Sequence, residues 1–348
     1  MNLDLKLLAD CYARLQDEES RKLFDLRFNY ALDRSMPNFI NGIRELNKSW
    51  KLELCDDFSK LYKGQKLVIF GGSAEGFLTE QVLNSVGYEV YAYCDNNPEK
   101  QGSFAPTGKK IYSPYDLQAT GEEFFYIVAS RFHGHEMYRQ LRAELIAPYT
   151  NMFLPCHGAI SAYCDDQYFD CEQMMLEDGE IFVDMGMLNG ETSKRVANDV
   201  KYTKIIGFEP SRIAIGDCRN TLNGLENIEI YPYAAWDKRE ELSFFFEGGG
   251  SRVADYGSEK VIGESLDTIL AGEKVTFIKM DVEGAEEKAL IGAKQTIRKY
   301  KPKLAVSLYH KPEDIFVLPS LILSIRDDYK FVIRHYASRI EETVLYAF

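Results

Sequence analysis

The chain has 348 residues, which is too long for one typical domain and enough for two. Its 41 basic and 54 acidic residues give a net charge of −13, and an acidic surface repels phosphate backbones, so we do not expect a nucleic acid partner. No apolar run approaches the roughly 18 residues that a membrane span requires. Charged and apolar residues alternate from Met1 to Asp10 where a secretory signal would be apolar, so we expect a cytoplasmic protein without a membrane partner.

The seven cysteines are scattered along the chain, as is usual for reduced thiols. Cys156, His157, Cys164 and Cys171 resemble a zinc set, but they lack the paired short spacing that structural zinc sites usually have. The sequence therefore assigns none of these four residues to a metal.

Residues 1–62 are predicted to be a helical segment. Leu7, Leu8, Cys11, Tyr12 and Leu15 recur at helical spacing, and the stretch from Leu23 to Leu32 repeats the pattern. No residue here suggests chemistry, so we expect packing or self-association, and a homodimer is one way to achieve the latter.

Residues 63–155 are predicted to be a Rossmann-like α/β domain. The strand Lys66–Phe70 leads into a glycine-rich turn at residues 71–76, and a helical pattern then runs to Val86. A second strand, 89–95, ends in Asp95, and Phe124 begins a third. This is the order of a dinucleotide-binding βαβ unit, although Ser73 replaces the middle glycine of the usual fingerprint.

Residues 156–348 are predicted to be a second doubly wound α/β domain. Its predicted strands are Ile181–Asp184, Lys204–Glu209, Ile228–Trp236, Leu242–Glu247, Thr276–Met280, Leu304–Tyr309, Lys330–Tyr336 and Thr343–Phe348. Only six residues separate the last two, too few for a parallel crossover helix, so these strands must form an antiparallel hairpin. A parallel sheet that ends in such a hairpin is typical of class I methyltransferases.

Two patterns in this domain predict a nucleotide pocket. The first strand ends at Asp184, and Gly186 and Gly190 then allow a tight turn before a helix near Glu191. The second strand ends at Glu209, where a carboxylate can accept hydrogen bonds from ribose hydroxyls. Ligands of such sheets bind at the carboxyl ends of the strands, where these residues lie.

A third pattern predicts residues at the mouth of the same pocket. Asp281 follows the fourth strand, Glu283 is expected to open the next helix, and His310 is expected to end the fifth strand. Any of the three could accept a proton from a substrate hydroxyl. Alternatively, the three could together bind a divalent ion, since oxygen and imidazole ligands suit several such metals. His335 is a weaker candidate at the end of another strand.

These patterns together resemble the FkbM family of S-adenosylmethionine-dependent methyltransferases. The matching strings are Val183–Gly186 with Gly190–Ser193, Gly207–Pro210, Ser265–Asp267 and, most specifically, Ile278–Glu286. The resemblance implies a class I fold and methylation of oxygen on a sugar, a glycan or a glycosylated metabolite. It also implies that Asp184, Gly186, Gly190 and Asp281 line the cofactor and that Glu209 binds its ribose. Met187 and Leu188 replace the family's usual Ala-Asn.

The N-terminal α/β domain resembles the nucleotide-sugar-binding domain of sugar O- and N-acyltransferases. The similar strings are Phe70–Gly76, Asp95–Gly102 and Ile111–Leu117. The resemblance implies that this domain holds a nucleotide-sugar acceptor or serves only to pack. Two rival functions remain open, an NAD(P)-dependent sugar oxidoreductase and a non-catalytic nucleotide-binding protein.

Overall fold

The structure, a computed structural model, describes residues 5–46, 62–85, 87–130, 134–145, 149–150, 167–169, 171–245, 251–336 and 340–348. These residues form two compact units. The smaller unit contains the described residues of Ile40–Asp165 and Tyr336–Arg339. The larger unit contains those of Met1–Phe39, Asp166–His335 and Ile340–Phe348. None of the described helices combines the length and apolar character that crossing a bilayer requires.

The smaller unit has one parallel sheet. Its strands are β1 (Lys66–Phe70), β2 (Val90–Cys94), β3 (Ile111–Tyr112), β4 (Phe124–Val128) and β5 (Tyr149–Thr150), and its helices are α4 (Ala74–Ser85), α5 (Pro114–Ala119) and α6 (Gly134–Gln140). The strand order is β3–β2–β1–β4–β5, with every neighbouring pair parallel. The apolar runs read from the sequence are buried on both faces, as parallel strands covered by helices must be. The predicted α/β unit is therefore confirmed.

The larger unit is built on a sheet of seven strands. They are β6 (Ile181–Met185), β7 (Lys204–Phe208), β8 (Ile228–Tyr231), β13 (Phe277–Met280), β14 (Lys303–Ser307), β15 (Phe331–His335) and β16 (Thr343–Ala347). Their order is β15–β16–β14–β13–β6–β7–β8. Only the pairs that involve β16 are antiparallel. The predicted C-terminal hairpin is confirmed, and with it the class I methyltransferase arrangement.

Six helices lie between the described strands of the larger unit from β6 onward. They are α7 (Glu191–Asp199), α8 (Arg212–Thr221), α9 (Leu266–Leu270), α10 (Glu286–Gly292), α11 (Lys294–Tyr300) and α12 (Asp314–Ile325). Local signals set their starts: Gly190 in the left-handed conformation precedes α7, and the Ser211 and Ser265 hydroxyls cap α8 and α9.

A second, four-stranded sheet differs from the sequence prediction. It contains β9 (Tyr233–Ala235), β10 (Glu240–Phe245), β11 (Arg252–Val253) and β12 (Glu259–Glu264), in the order β11–β10–β12–β9. The single strand predicted over Ile228–Trp236 is wrong, because the chain leaves the first sheet after Tyr231 and joins the second at Tyr233. Pro232 lies between them and cannot donate to a ladder, which explains the break.

The first two helices, α1 (Leu5–Ala13) and α2 (Glu18–Asp33), belong to the same compact unit as the seven-stranded sheet; α3 (Met36–Leu46) follows them. The Gln16 N–H donates to Phe331 O, and the Phe331 N–H donates to Arg14 O, so this segment extends the edge at β15. The Arg27 side chain is buried, and its Nε donates to Thr343 Oγ1 at 2.8 Å. The N-terminal helices were predicted to pack or self-associate, and in the structure they pack against β15 and β16.

Candidate functional site

The candidate site lies where four neighbouring parallel strands end. Strand β6 lies between β7 and β13, and β14 follows β13. Asp184, Glu209, Asp281 and His310 lie in or just after these strands, so the topology brings them to one edge. This is the edge at which doubly wound sheets bind ligands.

Asp184 is fully buried beneath the glycine turn. Its Oδ2 accepts a 2.7 Å hydrogen bond from Ser193 Oγ, and its Oδ1 lies 3.1 Å from Lys279 Nζ. The sequence prediction placed this carboxylate in contact with the cofactor. In the structure, Asp184 is connected to the turn through Lys279, which also binds Gly186 O.

Lys279 was missed by the sequence reasoning. Its side chain is buried, and Nζ donates a 2.6 Å hydrogen bond to Gly186 O. Burial alone would lower the pKa of Lys279, but the carboxylates of Asp184 and Asp281 raise it above its ordinary value. A lysine within an otherwise apolar strand was the available signal, because a buried cation requires a partner.

The turn between β6 and α7 requires glycine at a defined place. Gly186 has φ of 82°, and a Cβ there would lie 1.9 Å from the Asp281 carbonyl oxygen. Gly190 has φ of 81° and directly precedes α7. The N–H groups of Gly186 and Met187 both donate to Phe208 O. The turn therefore fits closely between β7 and β13.

Met187 and Leu188 form the turn where the resembled family has Ala-Asn. The Met187 side chain is buried against Gly207, where an added Cβ would lie 1.9 Å from Sδ. Leu188 adopts φ of 53° and is exposed, and its carbonyl accepts a hydrogen bond from the Cys218 thiol. The backbone turn forms without the asparagine.

Glu209 is buried beside this turn. One carboxylate oxygen accepts from Leu188 N at 3.0 Å, and the other accepts from Ser211 N at 2.9 Å. Burial raises the pKa of Glu209 above its ordinary value despite these hydrogen bonds. Each oxygen keeps a second lone pair, which is what two ribose hydroxyls would need.

Asp281 is fixed by two tyrosines at the end of β13. The Tyr168 hydroxyl donates to Oδ2 at 2.7 Å, and the Tyr309 hydroxyl donates to Oδ1 at 3.1 Å. Burial opposes ionisation, but Lys279 and His310 keep the pKa of Asp281 below its ordinary value. No sequence pattern could have identified Tyr168, because it lies 113 positions before Asp281.

His310 lies among three carboxylates. Its Nε2 is 3.6 Å from Asp281 Oδ1 and 3.3 Å from Glu283 Oε2, and its Nδ1 is 2.9 Å from Glu286 Oε1. Burial alone would lower the pKa of His310, but these carboxylates, Glu286 foremost, raise it well above its ordinary value. His310 lies three residues beyond β14, so the prediction that it ends the strand is wrong by that margin.

Glu283 does not open a helix, in contrast to the prediction. Glu283 and Gly284 have φ of 54° and 94°, so the chain turns through the left-handed region before α10 begins at Glu286. Glu286 Oε1 accepts from the N–H groups of Val282 and Gly284, which holds this turn. Glu283 therefore lies beside His310 because of this turn, and not because it begins a helix.

Other predicted residues do not join this site. His335 is buried with Nδ1 2.6 Å from Thr343 Oγ1. In the smaller unit, Asp95 Oδ2 accepts from Gly72 N at 2.8 Å and lies 3.1 Å from Lys100 Nζ, so the acid holds its own glycine turn. Cys156, His157 and Cys164 lie outside the described residues, and the zinc alternative stays a prediction.

Comparisons with known proteins identify a similar domain and a similar fold. The methyltransferase FkbM domain matches residues 184–333. The crystal structure of methyltransferase FkbM from Methylobacillus flagellatus is similar with a TM-score of 0.53 at 20% identity, covering 95% of this chain and 99% of that one. An rRNA methylase from Streptococcus thermophilus gives a TM-score of 0.35 at 17% identity, covering 49% of this chain and 87% of that one.

No curated protein matches the chain. The resemblance of residues 63–155 to sugar acyltransferases receives no support from these comparisons and stays a prediction. The domain match and the seven-stranded sheet with its terminal hairpin agree with each other. Residues 184–333 therefore match the methyltransferase FkbM domain, and the larger unit has a class I methyltransferase fold.

Proposed function

We propose that this protein is an S-adenosylmethionine-dependent methyltransferase that methylates a hydroxyl group of a sugar, a glycan or a glycosylated metabolite. The observation that carries the proposal is the position of Glu209 against the turn at residues 186–190, at the carboxyl edge of the sheet. A buried carboxylate beside a glycine turn fits a ribose next to a compact, charged ligand.

The residues present fit this cofactor. Gly186 leaves no room for a side chain on the Asp281 side, so the backbone itself forms the floor of the turn. The Asp184–Lys279 ion pair fixes that floor from beneath, since Lys279 also binds Gly186 O. Gly190 adopts the left-handed conformation and ends the turn directly before α7. S-adenosylmethionine would supply an activated methyl group for direct displacement.

Three residues can handle the acceptor hydroxyl. Asp281, Glu283 and His310 lie next to the turn, and Glu283 has the most exposed side chain of the three at 28%. Their oxygen and nitrogen atoms can orient a hydroxyl and take its proton as it reacts. The same groups suit a polyhydroxylated acceptor. We further propose that the α/β unit of residues 63–155 holds a nucleotide-sugar.

The test is calorimetric titration of the full chain with S-adenosylmethionine, and separately with NAD, NADP and UDP-sugars. Glu209→Ala should weaken S-adenosylmethionine binding about 10–100-fold, because charged hydrogen bonds to hydroxyls are lost. Glu226→Ala is the matched control, since Glu226 is exposed in the loop before β8. Its affinity should equal that of the wild type.

The outcomes separate the candidate functions. Binding of S-adenosylmethionine that Glu209→Ala weakens supports the proposal and justifies a screen of hydroxylated acceptors. Binding of NAD or NADP alone would refute it and favour an oxidoreductase centred on the glycine turn of residues 71–76. Binding of S-adenosylmethionine without methyl transfer to any acceptor in the screen would favour a non-catalytic binding protein.

A further inference from the structure

Asp281, Glu283 and His310 form a compact donor set. One ligand atom from each lies within 4.8 Å of the other two. The two acids come from the segment after β13 and the histidine from the segment after β14, so neighbouring strands of the sheet bring them together. Two carboxylate oxygens and one imidazole nitrogen are a common ligand set for divalent metals.

The imidazole gives an independent indication that a ligand binds here. The His310 side chain is only 9% exposed, and among the described residues no group makes a hydrogen bond with its Nε2. Nε2 faces the oxygens of Asp281 and Glu283, at 3.6 and 3.3 Å. A buried polar atom without a partner requires an explanation, and a bound ion is one.

The local charge favours a cation. Asp281, Glu283 and Glu286 surround His310, and the nearby Lys279 is already paired with Asp184. Carboxylates that converge in a partly buried place repel one another unless a positive charge lies between them.

The surrounding residues hold the donor set in place. Glu286 Oε1 lies 2.9 Å from His310 Nδ1, so it can fix the ring while Nε2 points at the two acids. Tyr168 and Tyr309 donate to the two oxygens of Asp281, and each oxygen retains a lone pair. Partners of this kind orient the ligands in metal sites and tune them.

We propose that Asp281, Glu283 and His310 bind a divalent metal cation, with Glu286 as the positioning residue for His310. Two carboxylates and one imidazole suit Mn²⁺ and similar cations better than they suit a metal that prefers thiolate ligands. The metal site stands without the cofactor. Its role rests on the proposed function: the cation would hold the acceptor hydroxyl and lower its pKa beside the methyl donor.

The test measures metal binding by the full chain after treatment with EDTA and dialysis. Mn²⁺ is titrated and followed by electron paramagnetic resonance and calorimetry, in the absence of S-adenosylmethionine. The variants are Glu283→Gln and His310→Gln. Glu287→Gln is the matched control, because Glu287 is an exposed glutamate in the first turn of α10 outside the donor set. Thermal melts establish that each variant is folded.

The proposal expects about one equivalent of Mn²⁺ on the wild type and on Glu287→Gln, and affinity about tenfold or more lower in the other two variants. Glu283→Gln keeps the test decisive if His310→Gln fails to fold, since Glu283 lies in a partly exposed turn. No stoichiometric binding by the wild type, or equal binding by folded Glu283→Gln, overturns the metal site.

A parallel titration with S-adenosylmethionine separates this result from the proposed function. Cofactor binding without Mn²⁺ binding refutes the metal site and leaves the methyltransferase proposal intact. Mn²⁺ binding without cofactor binding supports the metal site and refutes the methyltransferase proposal.

Discussion

Lys279 and Asp184 are directly paired across neighbouring parallel strands β13 and β6, and Lys279 Nζ lies 3.1 Å from Asp184 Oδ1. Both side chains are buried, and the same Nζ binds the carbonyl of Gly186. The ion pair therefore connects the centre of the sheet to the turn that we propose holds the cofactor.

Removing one partner of this pair should strongly destabilise the fold. Lys279→Met leaves the Asp184 carboxylate buried without its cation, and breaking such a pair costs about 3–5 kcal/mol. The double variant Lys279→Met/Asp184→Leu should recover much of the loss, because no charge is then left uncompensated. Urea-induced unfolding measures both.

A matched control is Lys204→Met, which removes a partly exposed lysine from the adjacent strand β7 and should have a small effect. Equal stability of Lys279→Met and the wild type would show that the ion pair does not hold the turn.

The turn itself makes a second prediction. Gly186→Ala places a Cβ 1.9 Å from the Asp281 carbonyl oxygen, so the turn or the end of β13 must move. Gly224→Ala is the control, because Gly224 has a similar φ of 84° but no atom within 4 Å of the added Cβ. Both variants incur the left-handed backbone cost of about 1–2 kcal/mol.

Only Gly186→Ala should also weaken S-adenosylmethionine binding. Calorimetry of the two folded variants at one temperature makes the comparison. If both bind the cofactor like the wild type, close packing of the turn on Asp281 is not needed for binding.

A third prediction concerns the N-terminal helices. Arg27 on α2 donates to Thr343 Oγ1 on β16 and to the Ile340 carbonyl, and its guanidinium lies over the Phe39 ring at 4.7 Å. Arg27→Met leaves these acceptors without their donor, at about 1–3 kcal/mol for each buried group left unpaired. The thermal midpoint of the larger unit should therefore fall.

Lys22→Met on the same helix is the control. Lys22 is 54% exposed and pairs with the exposed Glu18 one turn earlier, so its removal should leave the midpoint unchanged. An unchanged midpoint for Arg27→Met would mean that α2 does not stabilise the C-terminal hairpin.

The main features of the sheet could be predicted because they depend on local patterns. Apolar runs of four to six residues located β6, β7, β13 and β14. The short interval between β15 and β16, the last two strands of the chain, required a hairpin. The rule that parallel strands expose their carboxyl ends at one edge then brought Asp184, Glu209 and Asp281 together.

The details that were wrong depend on tertiary contacts or on single residues. Pro232 divides one predicted strand between two sheets, and Gly284 delays α10 until Glu286. Glu286 beside His310 and Tyr168 beside Asp281 could not be predicted, since they depend on how distant segments pack. The burial of Asp184 also follows from packing and from its unforeseen partner Lys279.

The last prediction is a pH dependence of stability at Asp314, the first residue of α12. Burial, together with the nearby Glu286 carboxylate, raises the pKa of Asp314 to about 7, although the Lys311 N–H, the Lys311 side chain and His310 act in the opposite direction. In the unfolded chain the value is 3.8. Below that value the group is protonated in both states and contributes nothing.

Between about pH 4 and 7 the unfolded chain releases the proton while the folded protein retains it, so a rise in pH favours unfolding. The cost grows by about 1.4 kcal/mol for each pH unit and levels off above the folded pKa. Asp314→Asn removes this titration, and its amide oxygen can still accept from Lys311 N. Its stability should exceed that of the wild type by a margin that increases from pH 4 to 7.

Urea unfolding of both proteins across this range gives the margin directly. EDTA should be present throughout, because a cation beside His310 would change the electrostatic field at Asp314. A margin that does not vary with pH would mean that Asp314 ionises in the folded protein as it does in the unfolded chain. A margin that increases as predicted would show that the α12 terminus is held by a protonated acid at mildly acidic pH.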